Sequence, residues 1–251
     1  MRTSVQPFRE FEQQDSGCRS YGVEVDGRRL FVKESVEERA VPALRRAVAL
    51  HRAVPHPAII PLLEVTEAGA GLRLVYPWVD GEVLYGAPCA GRRQRLDPTG
   101  PHARFRSLLR PDVLAALDAV FDAHLALAGA GFVAGDLYDG CLIYDFDAAR
   151  VWLCDLDEYR PGPFVVEGDR MPGSTRFMAP EEHRGAATID ERTTVFNLAR
   201  LAQVLLDTGD LDGEFRGGAG AGDVLRRATQ PAPAERHRSV AEFVTAWRRA
   251  I

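Results

Sequence analysis

The sequence predicts an α+β fold, a strand-rich N-terminal part followed by a mainly helical one. Three observations carry that reading. Short runs rich in Val, Tyr, Leu and Phe are concentrated before residue 78, and two of them flank the hairpin dipeptide Asp26-Gly27. One helical stretch interrupts those runs. Beyond residue 110 the apolar residues recur mostly at helical spacing, with one small hairpin between them. Strands first and helices later is the α+β pattern. At 251 residues and 46% hydrophobic content, the chain can bury a core as one two-part unit, divided here into 1–78 and 79–251.

Taken in order, residues 21–25 and 28–33 read as a hairpin. A helix is predicted over 36–54, with Val41, Leu44 and Val48 on one stripe and Pro42 in its first turn. Residues 62–66 and 72–76 read as a second strand pair across Ala68-Gly69-Ala70-Gly71. Residues 86–110 are polar and rich in Gly, Pro and Arg, and read as an exposed loop. Pro111 opens a long helix with the stripe Val113, Leu114, Leu117, Val120, Phe121 and Leu125, stopped by Gly129 and Gly131. Residues 141–144 and 150–154 form the later hairpin. Two more helices bury Leu198, Leu201, Ala202 and Leu205, then Val240, Phe243, Val244 and Trp247, the last opened by a capping box of Ser239 and Glu242. Residues 213–222 read as a flexible glycine-rich connection. The chain has no internal repeat.

Composition excludes several classes. A net charge of −5 does not suit a nucleic-acid partner. Asp118, Asp122 and His124 interrupt the most apolar stretch, so a membrane span is not expected, and the polar segment 1–15 is unlike a secretory signal. The cysteines Cys18, Cys89, Cys141 and Cys154 lack CxxC spacing and read as free thiols in a reducing, cytoplasmic compartment.

One count points to chemistry. Of 31 basic residues only Lys33 is a lysine. In an arginine-biased chain, a surviving lysine marks a place where a compact ammonium suits and a planar guanidinium does not. Lys33 sits at a strand end. Asp136 follows the long helix in Gly135-Asp136-Leu137, and Asp155 ends a strand in Cys154-Asp155-Leu156-Asp157. Taken singly, such aspartates are usually turn residues or caps. Together, a cation for phosphates, a carboxylate for a metal and a carboxylate for a hydroxyl proton are what phosphoryl transfer from ATP needs.

Six segments then resemble protein kinases, in order, from about residue 20 to 250. Phe31-Val32-Lys33 resembles the Val-Ala-Ile-Lys strand. The run from His56 to Leu62 resembles His-Pro-Asn-Ile-Val-x-Leu, and the run from Leu74 to Gly81 resembles the last strand and hinge, with Tyr76 as gatekeeper. Ala134-Gly135-Asp136-Leu137 stands at His-Arg-Asp-Leu and Asp155-Leu156-Asp157 at Asp-Phe-Gly. The run from Gly173 to Glu181 resembles Gly-Thr-x-x-Tyr-Met-Ala-Pro-Glu, the most specific match. The resemblance implies a two-lobed protein-kinase-like fold of the divergent bacterial serine/threonine type, with a small β-rich N-lobe and a mainly helical C-lobe. It implies ATP and Mg²⁺ as cofactors. Lys33 would hold phosphates, Asp136 the acceptor hydroxyl and Asp155 the metal. Tyr76, Pro77 and Val79 would flank adenine, and Glu181 would pair with Arg236.

The chain also departs from that pattern. The segment before Lys33 has Gly17 and Gly22 but no GxGxxG. Ala47 stands where a helix glutamate would orient Lys33. Cys141 stands where an asparagine would hold a second metal, and a thiol is a poor ligand for Mg²⁺. Asp139 and Asp157 are candidate replacements. Tyr138, Gly135 and Thr194 take the places of a lysine, an arginine and an aspartate. Three readings stay open. One is an ATP-dependent phosphotransferase acting on a Ser/Thr hydroxyl. Another is a pseudokinase serving as a nucleotide-binding scaffold. The third is a small-molecule kinase, because Gly135-Asp136 resembles the aminoglycoside phosphotransferases. The acceptor is accordingly a protein or a small-molecule hydroxyl.

Overall fold

The computed structural model describes residues 6–11, 16–68, 71–85 and 92–251. Cys89, part of the turn at 68–71, part of the segment 1–15 and residues 86–91 of the expected loop lie outside them. The described chain is α+β, with a β-rich N-terminal region and a helical C-terminal part. Strands β1 (Arg9–Phe11), β2 (Cys18–Val25) and β3 (Arg28–Ser35) come first. Helix α1 (Val41–Ala53) follows, then β4 (Glu64–Ala68) and β5 (Gly71–Pro77). They form one antiparallel sheet in the order β1-β2-β3-β5-β4. The β2–β3 turn is the expected one, with Asp26 at φ 51° and Gly27 at φ 74°, the pair of positive values a type I′ turn requires. The expected helix over 36–54 starts later, at Val41, after a 3-10 turn at Glu38–Ala40, because Pro42 fits only its first turn.

Side chains alternate across each strand, so pairing fixes which residues share a face. Lys33 pairs with Leu74 and Phe31 with Tyr76, placing all four on one face. Leu74, Tyr76, Leu44 and Ala47 meet in one core cluster, which puts α1 against that face.

The helical part begins with two elements that the sequence reading missed. Residues expected to form an exposed loop fold as α2 (Arg92–Arg95) and α3 (Pro101–Arg106), between the short strand β6 (Glu82–Val83) and α4 (Arg110–Gly129). Phe105 is buried, and so are His102 and Arg106. The Arg106 guanidinium survives burial by donating to the carbonyls of Arg95 and Asp207. Next come β7 (Phe132–Val133), β8 (Leu142–Asp145) and β9 (Arg150–Leu153), the last two forming the expected hairpin with β6 on its edge. Short pairs join β10 (Arg160–Pro161) to β7 and β11 (Phe164–Val165) to β12 (Thr188–Ile189). Helices α5 (Glu191–Leu206), α6 (Ala219–Ala228) and α7 (Val240–Ala250) complete the chain. The expected flexible connection over 213–222 gives way to α6 at residue 219, whose Ala221, Leu225 and Ala228 are buried against its neighbours. Ser239 caps α7 through the Glu242 amide, but the Glu242 carboxylate accepts from the Arg238 amide instead of closing the box.

The apolar stripes of α4, α5 and α7 meet in one large core around Phe121, Phe243 and Trp247. The two regions are clipped together at Leu153, whose amide donates to the Ala58 carbonyl (2.6 Å) and whose carbonyl accepts from the Ile60 amide (3.2 Å). Among the described residues no helix is long and apolar enough to cross a membrane.

Candidate functional site

Lys33 and Asp155, 122 residues apart, meet where the sheet face reaches the end of β9. The Lys33 Nζ lies 2.6 Å from Asp155 Oδ1 and also pairs with Asp157 Oδ2. The environments of the two carboxylates differ: the Asp155 side chain is 47% exposed, that of Asp157 only 11%. Burial disfavours the Lys33 charge, but Asp155 and Asp157 outweigh it and hold the ammonium well above its usual range. Lys33 in turn draws the Asp155 carboxyl below its usual range. Burial pushes Asp157 the other way.

Asp136 and Asp155 both adopt left-handed backbone, at φ 55° and 58°. Aspartate tolerates that region better than most residues, and such conformations gather at functional sites. Cys141 ties the two together: its thiol donates to the Asp136 carbonyl (3.2 Å), and its own carbonyl accepts from the amide of Cys154, next to Asp155 (2.9 Å). Burial drives this thiol well above its usual pKa, so it is held as a neutral donor and not as a metal ligand. Two glycines permit the close approach. A Cβ on Gly135 would lie 2.4 Å from the Glu158 carbonyl oxygen, which is why an arginine cannot precede Asp136 here. A Cβ on Gly173, at φ 134°, would lie 2.9 Å from Asp136 Oδ1. Thr194 anchors the loop from below, its hydroxyl accepting from the Ala134 amide (3.0 Å).

The remaining sequence candidates fall into two groups. Tyr76, Pro77 and Val79 lie at the end of β5, beside the same sheet face. Tyr76 is buried, with Phe31 6.2 Å and His51 5.4 Å away between ring centroids. Burial raises the Tyr76 phenol far above its ordinary value. The Trp78 amide between Pro77 and Val79 donates to the Arg29 carbonyl (3.0 Å). Asp139 belongs elsewhere. It is fully enclosed, 3.0 Å from His102 Nε2 and 3.4 Å from Arg176 Nη1, and Arg176 continues to Asp210, which Arg95 also grips. Asp139 thus ties the Asp136 loop to α3 and to the segment after α5. Among the described residues no group of three or more His, Cys, Asp or Glu side chains is arranged to hold a metal ion.

Sequence reasoning missed two neighbours of the site. Phe31 shares the face of Lys33, which its place two residues earlier on the strand signals. Arg46, next to Ala47 on α1, donates to the Asp157 carbonyl (3.1 Å) and pairs with Glu158 (2.8 Å). Asp157, a candidate metal ligand from the sequence, pairs with Lys33 instead.

Glu181 and Arg236 form the expected pair, at 2.6 and 2.9 Å, with both side chains buried. No protein-family model matches the chain, and no curated protein is significantly similar to it.

Proposed function

We propose that the chain is an ATP-dependent phosphotransferase of the protein-kinase type, with a two-lobed protein-kinase-like fold, that moves the γ-phosphate to a hydroxyl, in first place that of a protein Ser or Thr. The observation that carries this reading is the Lys33–Asp155 pair, an enclosed ammonium beside an exposed carboxylate. The side chains fit one of the groups this reading needs and not the other sites proposed for it. Asp155 fits Mg²⁺: it is an accessible, hard carboxylate kept ionised by Lys33, and Mg²⁺ sites take one or two carboxylates with phosphate oxygens completing the shell. Cys141 and Asp139 do not fit, the first being an enclosed neutral thiol and the second paired in the interior.

Bound with Mg²⁺, ATP supplies a γ-phosphoryl group whose charge the cation partly neutralises. The chain's own residues do the rest. Lys33 binds phosphate oxygens as a point charge. Asp136 accepts the proton of the acceptor hydroxyl at a carboxylate oxygen as that hydroxyl attacks, and the absence of a side chain on Gly173 leaves room for that carboxylate, since a Cβ there would lie 2.9 Å from Asp136 Oδ1. The Pro77 carbonyl and the Val79 amide flank the adenine edge, with Phe31 and Tyr76 as apolar wall.

The test is transfer of labelled γ-phosphate from ATP, with Mg²⁺ and then Mn²⁺. Transfer is expected in the natural protein and a loss of about a hundredfold or more in Asp136→Ala and in Lys33→Met. Equal turnover in all three would overturn the reading. Nucleotide bound without turnover would favour a second one, a nucleotide-binding scaffold, for which the buried thiol of Cys141 is the specific observation.

A further inference from the structure

A phosphate-binding lysine must be aimed, because a free four-carbon stem spreads its ammonium over many positions. The resembled family aims it with a carboxylate on the helix packed against the sheet. Here that helix is α1, and its residue at that place is Ala47, fully buried against the sheet. Two acidic residues that follow Lys33 in sequence are engaged elsewhere: Glu34 reaches Arg73 (2.9 Å) and Glu37 pairs with Arg39 (2.5 Å). The second carboxylate on Lys33 comes instead from Asp157.

We infer that Asp157 is the positioning residue for Lys33, and that Lys33 is thereby aimed by the same short segment that carries Asp155, independently of α1. Burial divides the labour. Asp155 is exposed, so a ligand can take it, whereas Asp157 is nearly enclosed and remains the standing partner of the ammonium. The tie between α1 and the segment has reversed polarity. It runs from the Arg46 guanidinium to the Asp157 carbonyl and the Glu158 carboxylate, and it bypasses Lys33. In this arrangement a swing of α1 breaks the Arg46 contacts and leaves the Lys33–Asp157 pair standing. For the phosphotransferase the consequence is regulatory: displacing α1 does not disarm Lys33. This inference rests on the proposed function for the meaning of the aim, but the pairing itself is tested without it.

Lys33 is the only lysine, so isotope-labelled lysine gives a single Nζ–H signal in nuclear magnetic resonance, persistent only while the ammonium is held and shielded from exchange. Three proteins are compared, the natural chain, Asp157→Asn and Arg46→Ala, together with the double variant Asp157→Gly/Ala47→Glu, which moves the carboxylate back to the helix. The signal is expected in the natural chain and in Arg46→Ala, and lost in Asp157→Asn. In Asp157→Asn the KM for ATP rises about tenfold, as loss of one charged contact to the ammonium predicts. Recovery of signal and KM in the double variant supports the inference. A signal retained in Asp157→Asn, or lost in Arg46→Ala, overturns it. If the natural protein transfers no phosphate while the signals behave as expected, the pairing stands and the phosphotransferase reading falls. If transfer occurs and Asp157→Asn alters neither signal nor KM, the reverse holds.

Discussion

Arg236 grips Glu181 with both ends of its guanidinium, 55 residues away in sequence and sealed from solvent. Arg236 also donates to the carbonyls of Gln230, Pro231 and Arg192, and the Thr193 hydroxyl donates to Glu181 Oε1 (2.8 Å). The pair therefore nails the segment after Gly173 to α5 and to the turn before α7. Breaking one half strands the other charge in the interior. Arg236→Ala is expected to cost about 3–5 kcal/mol of unfolding free energy, read as a lower denaturant midpoint. A cost under about 1 kcal/mol would show that water reaches the pair.

Asp139, enclosed beside His102 and Arg176, is a structural tie and not a metal ligand. Asp139→Ala is expected to lower stability by about 3 kcal/mol and to leave the Mg²⁺ dependence of nucleotide binding where it was. Calorimetric titration of nucleotide with and without Mg²⁺ separates the two effects. Loss of the metal dependence in a folded variant would restore Asp139 to the site.

Gly135 has a steric reason to be glycine, since a Cβ there would lie 2.4 Å from the Glu158 carbonyl oxygen. A side chain at this position should therefore harm the protein. Gly135→Arg is expected to destabilise by about 1–3 kcal/mol, since the loop of Asp136 and the segment after Asp155 must part to admit a side chain. Thermal unfolding checks it, and an unchanged midpoint would refute the close approach.

The pH dependence has opposing parts. Burial lowers His51 to about 4, and burial likewise lowers His124 to about 4 against the helping bond to the Val120 carbonyl. The unfolded chain then binds more protons below about pH 6.5, so these two histidines make stability fall as pH drops from there toward 4. Glu182 acts in reverse. Burial raises it to about 7, despite bonds from Asn197 and the Ala179 amide, so the folded state takes up its proton first and stability rises from pH 7 down to the ordinary carboxyl range. Glu182→Gln is expected to remove that rise, worth on the order of 3 kcal/mol, and to leave the acid-side fall of His51 and His124 exposed. Denaturant midpoints from pH 8 to pH 4.5 would show it, and parallel profiles for the two proteins would contradict it.

The parts of the fold legible in the sequence were those written in local chemistry. Asp26-Gly27 names its own turn, the stripe through Val113, Leu117 and Phe121 names a helix, and the lone lysine flags Lys33 without any structure. The illegible parts depend on contacts made far along the chain. α3 hides in a run of Gly, Pro and Arg because one residue, Phe105, supplies its apolar anchor, and because the buried Arg106 looks like a surface residue until backbone carbonyls are counted. α6 hides behind Gly218, Gly220 and Gly222, whose composition reads as a linker, although Leu225 and Ala228 commit it to the core. The partner of Lys33 was illegible for a different reason. The resemblance points to a helix residue, and only the folded path of residues 155–157 brings a carboxylate to the ammonium.

The clip at Leu153 gives the molecule a common anchor. Both backbone bonds that join the N-terminal region to β9 converge on that one residue, two positions before Asp155. The strand held there runs on directly to Asp155 and Asp157, and the sheet held there carries Lys33, so the ammonium and both of its carboxylates take their positions from the same point of the backbone.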